Sequence, residues 1–98
     1  LVFFQVDVYW AAYGHYSPAD LFNKYPGRFT LLHIKDKKEI GQSGMVGFDA
    51  VFANAEPAGM TEFVVEVEGC RNETALDGIR VSADYLLNAP FVKATYRK

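Results

Sequence analysis

Three side chains of the kinds that ligate metal ions stand at similar places along the sequence. Asp7, His33 and Glu66 are 26 and 33 residues apart, and each lies near the carboxyl end of a short apolar run. Two carboxylates and one imidazole suit a divalent cation such as Mn²⁺, Mg²⁺, Co²⁺ or Zn²⁺. The sequence therefore predicts a divalent-metal site, provided that the fold brings the three runs together.

Each of these residues also has a simpler explanation. An aspartate at a strand end is commonly a turn or cap residue, and a histidine in an apolar run is commonly hydrogen-bonded in the core. Glu66 is harder to explain in this way, because a carboxylate within Phe63-Val64-Val65-Glu66-Val67 is costly to bury without a partner. The recurrence of such residues in all three runs favours a shared site.

The apolar runs have the character of β-strands. They cover residues 1–10, 29–35 and 63–67, and they are rich in β-branched and aromatic side chains. Their hydrophobicity is almost continuous, as expected of parallel strands that are covered on both faces. We therefore predict three strands of a parallel sheet.

A helix-like stretch follows each predicted strand. The first begins with Ser17 as N-cap and Pro18 as the first helical residue. The second covers residues 48–55 and is ended by Pro57, and the third covers residues 76–87 on the spacing of its apolar side chains. This β-α-β-α-β-α order requires right-handed crossovers, which fit an open doubly wound sheet or a slice of a (β/α)8 barrel. In a parallel sheet the carboxyl ends of the strands meet at one rim, where barrel enzymes place their active sites.

Five short motifs follow one another in an order and spacing typical of one known family. They are Gln5-Val6-Asp7-Val8-Tyr9-Trp10, Gly27-Arg28-Phe29, His33-Ile34-Lys35-Asp36, Gly41-Gln42-Ser43-Gly44-Met45-Val46-Gly47-Phe48 and Phe63-Val64-Val65-Glu66-Val67-Glu68. Together they resemble strands six to eight of the xylose-isomerase-like sugar phosphate isomerase/epimerase family, over residues 1–89. The resemblance implies an α/β fold, namely the C-terminal βαβαβα portion of a (β/α)8 TIM barrel. Residues 1–98 would then be one partial barrel with no separate second domain.

The resemblance also implies the chemistry of the predicted site. In this family a divalent metal polarises the carbonyl of a sugar or sugar phosphate, and two glutamates move a proton through an enediolate. Asp7, His33 and Glu66 would be three of the four metal ligands, and Glu66 would also be one of the two acid/base carboxylates. The fourth ligand, which is the second catalytic glutamate, has no counterpart in residues 1–98. We therefore expect these residues alone to be inactive.

Further residues would contact the substrate by the same resemblance. Trp10 stands where relatives often have a histidine, and its ring could pack against a sugar. Lys35, Asp36 and Glu68 would lie near the rim, although solvated salt bridges also explain them. His15 could reach the site from the loop after the first strand, although a surface loop also explains it. The glycine loop at 41–47 carries one residue more than the usual spacing.

The composition argues against several other classes of protein. A net charge of −2 leaves no broad basic surface for nucleic acid, and no apolar run approaches the roughly 20 residues that cross a bilayer. Cys70 is the only cysteine, which excludes an intramolecular disulfide and a cysteine metal cage. No signal peptide is visible in residues 1–98, and the cellular location stays open.

Two alternative functions remain at this point. One is a non-catalytic βα module that binds a metal or a partner through its acidic rim. The other is an endonuclease IV-like barrel enzyme that cuts abasic DNA, but this would need more metal ligands and a basic groove. A three-stranded slice would also leave sheet edges and an apolar interior face open, so we expect either a homo-oligomer or a missing N-terminal barrel half.

Overall fold

The computed structural model describes residues 3–67 and 74–96. The elements, in chain order, are β1 (Phe4–Asp7), α1 (Val8–Tyr13), α2 (Pro18–Lys24), β2 (Phe29–Lys35), α3 (Phe48–Ala53), α4 (Ala55–Ala58), β3 (Glu62–Glu66) and α5 (Ala75–Asn88). Glu68 and Cys70, both considered above, lie outside the described residues. No helix within the described residues is long and apolar enough to cross a membrane.

The three strands form one parallel sheet in the order β1-β2-β3. Strands that follow one another in the chain are therefore neighbours in the sheet. Because βα crossovers are right-handed, this order places the connecting helices on one face of the sheet, as in a barrel. The predicted α/β fold with parallel strands, a portion of a (β/α)8 barrel, is confirmed.

The hydrophobic core lies between the sheet and the helices. Leu32 and Ile34 of β2 are fully buried, and they alternate with residues that point to the other face. Phe22 of α2 and Phe48 of α3 are also buried in the same cluster. Burying each such side chain contributes roughly 1.5–3 kcal/mol, so this layer holds the strands in register.

The opposite face of the sheet, which would be the barrel interior, is largely polar. Beyond the register shift between Phe4 and Gln5, strand alternation places on it Gln5, Asp7, Leu31, His33, Lys35, Glu62, Val64 and Glu66. The expectation of an apolar interior face was therefore wrong, since only Leu31 and Val64 among these described residues are apolar. The near-continuous hydrophobicity of the runs hid this alternation.

Two predicted boundaries also differ from the structure. The first strand ends at Asp7 instead of continuing to Trp10, because the Asp7 side chain accepts a hydrogen bond from the Trp10 amide and caps α1. The predicted helix at 48–55 is divided into α3 and α4, and Pro57 lies inside α4, where the first turn tolerates it. The predicted cap at Ser17 is present, with its hydroxyl accepting from the Asp20 amide at 3.3 Å.

Candidate metal centre

The fold brings Asp7, His33 and Glu66 together at the carboxyl ends of the three strands. One ligand atom from each lies within 4.8 Å of the others, and all three side chains are half-buried. The register pairs Asp7 directly with His33. Glu66 reaches the pair from β3, where its Oε1 lies 2.8 Å from Nδ1 of His33.

The donor set and its spacing suit a divalent cation. Metal–ligand bonds of about 2.0–2.6 Å place neighbouring ligand atoms roughly 3–4.5 Å apart. The separations between the three side chains come close to this range, so small rotations of the carboxylates would complete it. The set of two oxygens and one imidazole nitrogen fits the group predicted from the sequence.

Both nitrogens of the His33 ring have a partner. Nδ1 faces Glu66, and Nε2 lies 3.2 Å from the side-chain oxygen of Gln5. Gln5 was not among the candidate residues from the sequence. The signal that could have found it is the strand period of two, because a residue two positions before Asp7 shares its face.

Asp7 belongs to both the cluster and the start of α1. Its Oδ1 accepts the Trp10 amide at 3.0 Å, and the helix begins at the next residue. No loop separates this strand from its helix. The position of the Asp7 carboxylate is therefore fixed by the helix that it caps.

Lys35 and Trp10 lie together beside the cluster. Lys35 is only 2% exposed, and its ammonium lies 4.3 Å from the centroid of the Tyr9 ring and 5.0 Å from that of Trp10. The same ammonium donates to the carbonyl of Asp36 at 3.2 Å. The Trp10 ring packs edge-on against Tyr13 and remains half exposed. A buried cation thus packs against the rings of Tyr9 and Trp10, and the Trp10 backbone also bonds to Asp7 of the candidate centre.

Asp36 organises the loop that follows β2. Its carboxylate is buried and accepts the amides of Lys37 at 2.7 Å, Gly41 at 2.9 Å and Ser43 at 3.4 Å, together with the Ser43 hydroxyl. These bonds close residues 36–43 into a compact loop. The carboxylate oxygens of Asp36 are thus used within the loop, and a substrate contact for Asp36 stays a prediction.

His15 and Glu68 complete the set of predicted substrate residues. His15 is exposed, has a positive φ of 67° and follows the end of α1. It lines a cavity of about 290 Å³ together with Tyr16 and Met45. The structure therefore places His15 in the α1–α2 connection, where its cavity is also lined by Met45 from the loop before α3, and Glu68 lies outside the described residues.

Two solved structures match both the fold and the sequence of this chain. One is a sugar phosphate isomerase/epimerase from Parabacteroides distasonis ATCC 8503, with a TM-score of 0.86 and 45% identity over 94% of this chain. The other is a sugar phosphate isomerase/epimerase from the same organism, with a TM-score of 0.86, 40% identity and the same coverage of this chain. By sequence and by fold, this chain is similar to part of these sugar phosphate isomerase/epimerases.

The resemblance to this family that the motifs indicated is therefore confirmed. Neither a protein-family model nor a curated protein matches the chain. The chain spans 32% and 33% of the lengths of the two sugar phosphate isomerase/epimerases that it matches. This chain, with about a third of their length, carries the cluster of Asp7, His33 and Glu66.

Proposed function

We propose that this chain supplies part of the active site of a divalent-metal-dependent isomerase or epimerase that acts on a sugar or sugar phosphate. The observation that carries the proposal is the convergence of Asp7, His33 and Glu66 at one rim of the sheet, with ligand atoms within 4.8 Å. Mn²⁺, Mg²⁺, Co²⁺ and Zn²⁺ are the candidate ions. The relationship to sugar phosphate isomerase/epimerases supports the substrate class.

The chain's own residues divide the chemistry between binding and proton transfer. A bound divalent cation would supply electrostatic stabilisation of negative charge on the sugar oxygens. Asp7 and His33 would hold the cation, and we assign to Glu66 both a share of that binding and the transfer of a proton from, or to, a sugar carbon next to the carbonyl. Return to the neighbouring carbon gives an isomer, and return to the opposite face of the same carbon gives an epimer.

The aromatic surface beside the cluster suits the substrate. The exposed half of the Trp10 ring offers a face on which the C–H groups of a sugar can pack. The ammonium of Lys35 lies 5.0 Å from the centroid of that ring and contributes a positive charge beside it. We assign Trp10 and Lys35 to substrate binding, and Asp36, Glu68 and His15 remain candidates for the same role.

The proposal requires further βα units around this chain. A barrel needs eight units, and its second catalytic carboxylate has no counterpart in residues 1–98. Apolar side chains are exposed at both ends of the chain, as expected if further βα units pack there. They are Phe3 and Phe4 at β1 and Leu76, Ile79 and Leu87 on α5. The N-terminal half of a barrel or further copies of the chain would cover them. An intact mass near 11.0 kDa, combined with light scattering, separates these two cases.

The deciding experiment measures sugar turnover and metal binding together. The completed barrel is purified, titrated with Mn²⁺ or Co²⁺ and then assayed on aldoses, ketoses and their phosphates in D₂O, where proton transfer places deuterium on carbon. Glu66→Gln should remove turnover, and Glu62→Gln on the same strand face should not. Metal binding without turnover by the completed barrel would instead favour a non-catalytic metal-binding or partner-binding module.

The 98 residues alone provide a second test. With one acid/base carboxylate out of two, they should show no isomerase activity even when loaded with metal. Metal-dependent turnover by this chain in isolation would contradict the proposed division of the site.

A further inference from the structure

Gln5 is a polar neighbour of the candidate centre that the proposed chemistry does not use. It lies on β1 two residues before Asp7, and its side-chain oxygen is 3.2 Å from Nε2 of His33. The other ring nitrogen of His33 faces Glu66 at 2.8 Å. The imidazole is therefore held between two strands, with Gln5 on one side and Glu66 on the other.

The contact with Gln5 bears on which nitrogen of the His33 imidazole carries the proton. A carbonyl oxygen can only accept a hydrogen bond, so the contact with Gln5 uses the tautomer that has its proton on Nε2. In that tautomer Nδ1 carries the lone pair, which a cation bound between His33 and Glu66 would take up; without a cation, the Glu66 carboxylate would need the proton on Nδ1 instead. Histidines that ligate metals commonly donate their other N–H to an acceptor in this way.

The fold keeps Gln5 in this position. The register places Gln5 beside Leu31 and Asp7 beside His33, so the side chain of Gln5 approaches the imidazole from one step earlier on the same face. The contact thus comes from the strand pairing and does not depend on a loop. A substitution at Gln5 would change the acceptor without disturbing the buried core, because Gln5 is exposed.

We propose that Gln5 is a positioning residue of the metal centre. Its carbonyl holds the Nε2–H of His33 and so directs the Nδ1 lone pair into the space shared with Asp7 and Glu66. This inference rests on the proposed function, because it assigns the cluster to a divalent cation. It adds a fourth side chain to the site and fixes which nitrogen of His33 is the ligand.

The test compares three substitutions in the purified protein. Gln5→Leu removes the acceptor at nearly constant size, Gln5→Glu keeps an acceptor oxygen at the same chain length, and Gln42→Leu removes an exposed glutamine from the following loop as a matched control. Affinities for Zn²⁺ and Co²⁺ are measured by competition with a chelating dye. In the Zn²⁺-loaded protein, ¹⁵N-detected NMR of the imidazole reports which nitrogen carries the proton and how fast that proton exchanges with water.

Only a variant that loses the acceptor oxygen of Gln5 is expected to change metal binding. Gln5→Leu should weaken metal binding about 10- to 100-fold and expose the Nε2–H of His33 to fast exchange, while Gln5→Glu and Gln42→Leu stay close to wild type. Should Gln5→Leu not fold, Gln5→Met removes the same acceptor. Wild-type affinity and a protected Nε2–H in the folded leucine or methionine variant would overturn the role of Gln5. Absence of metal binding in the wild type would instead overturn the proposed function together with this inference.

Discussion

His33 and Glu66 meet across two strands although the backbone register does not pair them. The register sets His33 beside Val64 and Lys35 beside Glu66, yet Nδ1 of His33 lies 2.8 Å from Oε1 of Glu66. The contact is therefore diagonal, and it leans the imidazole toward the carboxyl end of the sheet. Along the same rim, Asp7 pairs with His33 in register, so the three strands contribute one group each.

Asp7 should show separable effects on helix stability and on metal binding. Asparagine caps helices about as well as aspartate but carries no charge. We expect Asp7→Asn to leave the free energy of unfolding nearly unchanged while weakening Mn²⁺ binding at least tenfold. Asp7→Ala should weaken binding similarly and also cost about 1 kcal/mol of stability. Urea unfolding and metal titration of both variants give the two readouts, and equal stability losses would argue against the capping role.

Gly41 should be less replaceable than Gly44, although both have positive φ values. A Cβ on Gly41 would lie within 2.7 Å of three ring carbons of Tyr85, whereas one on Gly44 meets nothing within 4 Å. Gly44→Ala should therefore lower the free energy of unfolding by about 1 kcal/mol, because only the left-handed backbone is strained. Gly41→Ala should lower it clearly more, because its Cβ also meets the Tyr85 ring. Urea unfolding measures both. Equal losses would mean that the Tyr85 ring moves aside freely.

Tyr85 should make the protein less stable in alkaline solution. Burial raises the pKa of its phenol above the usual value near 10, and the charges of Asp49 and Asp36 raise this pKa further. The folded protein thus holds this proton more tightly than the unfolded chain, so the free energy of unfolding falls as the pH rises through 10 toward the folded-state pKa. Below pH 10 this contribution is fully present.

The measurement is urea unfolding between about pH 9 and 11. Tyr85→Phe should lose less stability over this range than the wild type does, because phenylalanine has no proton to lose. Tyr16→Phe, which removes an exposed phenol, should follow the wild type. A Tyr85→Phe curve parallel to the wild-type curve would contradict the prediction.

Trp10 should influence sugar binding and not metal binding. Its backbone amide donates to the Asp7 carboxylate, which caps α1, so a change of side chain leaves that hydrogen bond in place. We expect Trp10→Ala to raise the KM for the sugar several-fold, because the ring face next to the site is lost, while Mn²⁺ affinity stays at the wild-type level. Trp10→Phe should keep most of the affinity for the sugar. Unchanged KM in the alanine variant would place the sugar elsewhere.

The fold and the convergence of the cluster could be predicted from the sequence because both follow from topology. Three apolar runs alternating with helices dictate a parallel sheet, and a parallel sheet collects its carboxyl ends at one rim. The end of β1 could not be found in this way. Val8, Tyr9 and Trp10 are all favourable strand residues, but the Asp7 carboxylate captures the Trp10 amide and begins a helix. A local hydrogen bond here overrides propensity.

The side-chain contacts within the site could not be predicted from the sequence either. The contact of Gln5 with His33 depends on register, and the enclosure of Lys35 by Tyr9 and Trp10 depends on the helix that starts early. The polar interior face was missed because buried and open positions alternate within runs that look uniformly apolar. Each of these features is a long-range relationship that only the paired strands define.

The direct passage from β1 into α1 sets where this architecture tolerates changes in chain length. An inserted residue between Asp7 and Val8 would detach the cap and displace the carboxylate, so length variation at this junction is incompatible with the cluster. The loop closed by Asp36 is different, because its carboxylate gathers several amides and can accommodate an additional residue such as Ser43. Among sugar isomerases built on this plan, we expect insertions and deletions to accumulate after β2, while the turn after β1 keeps a constant length.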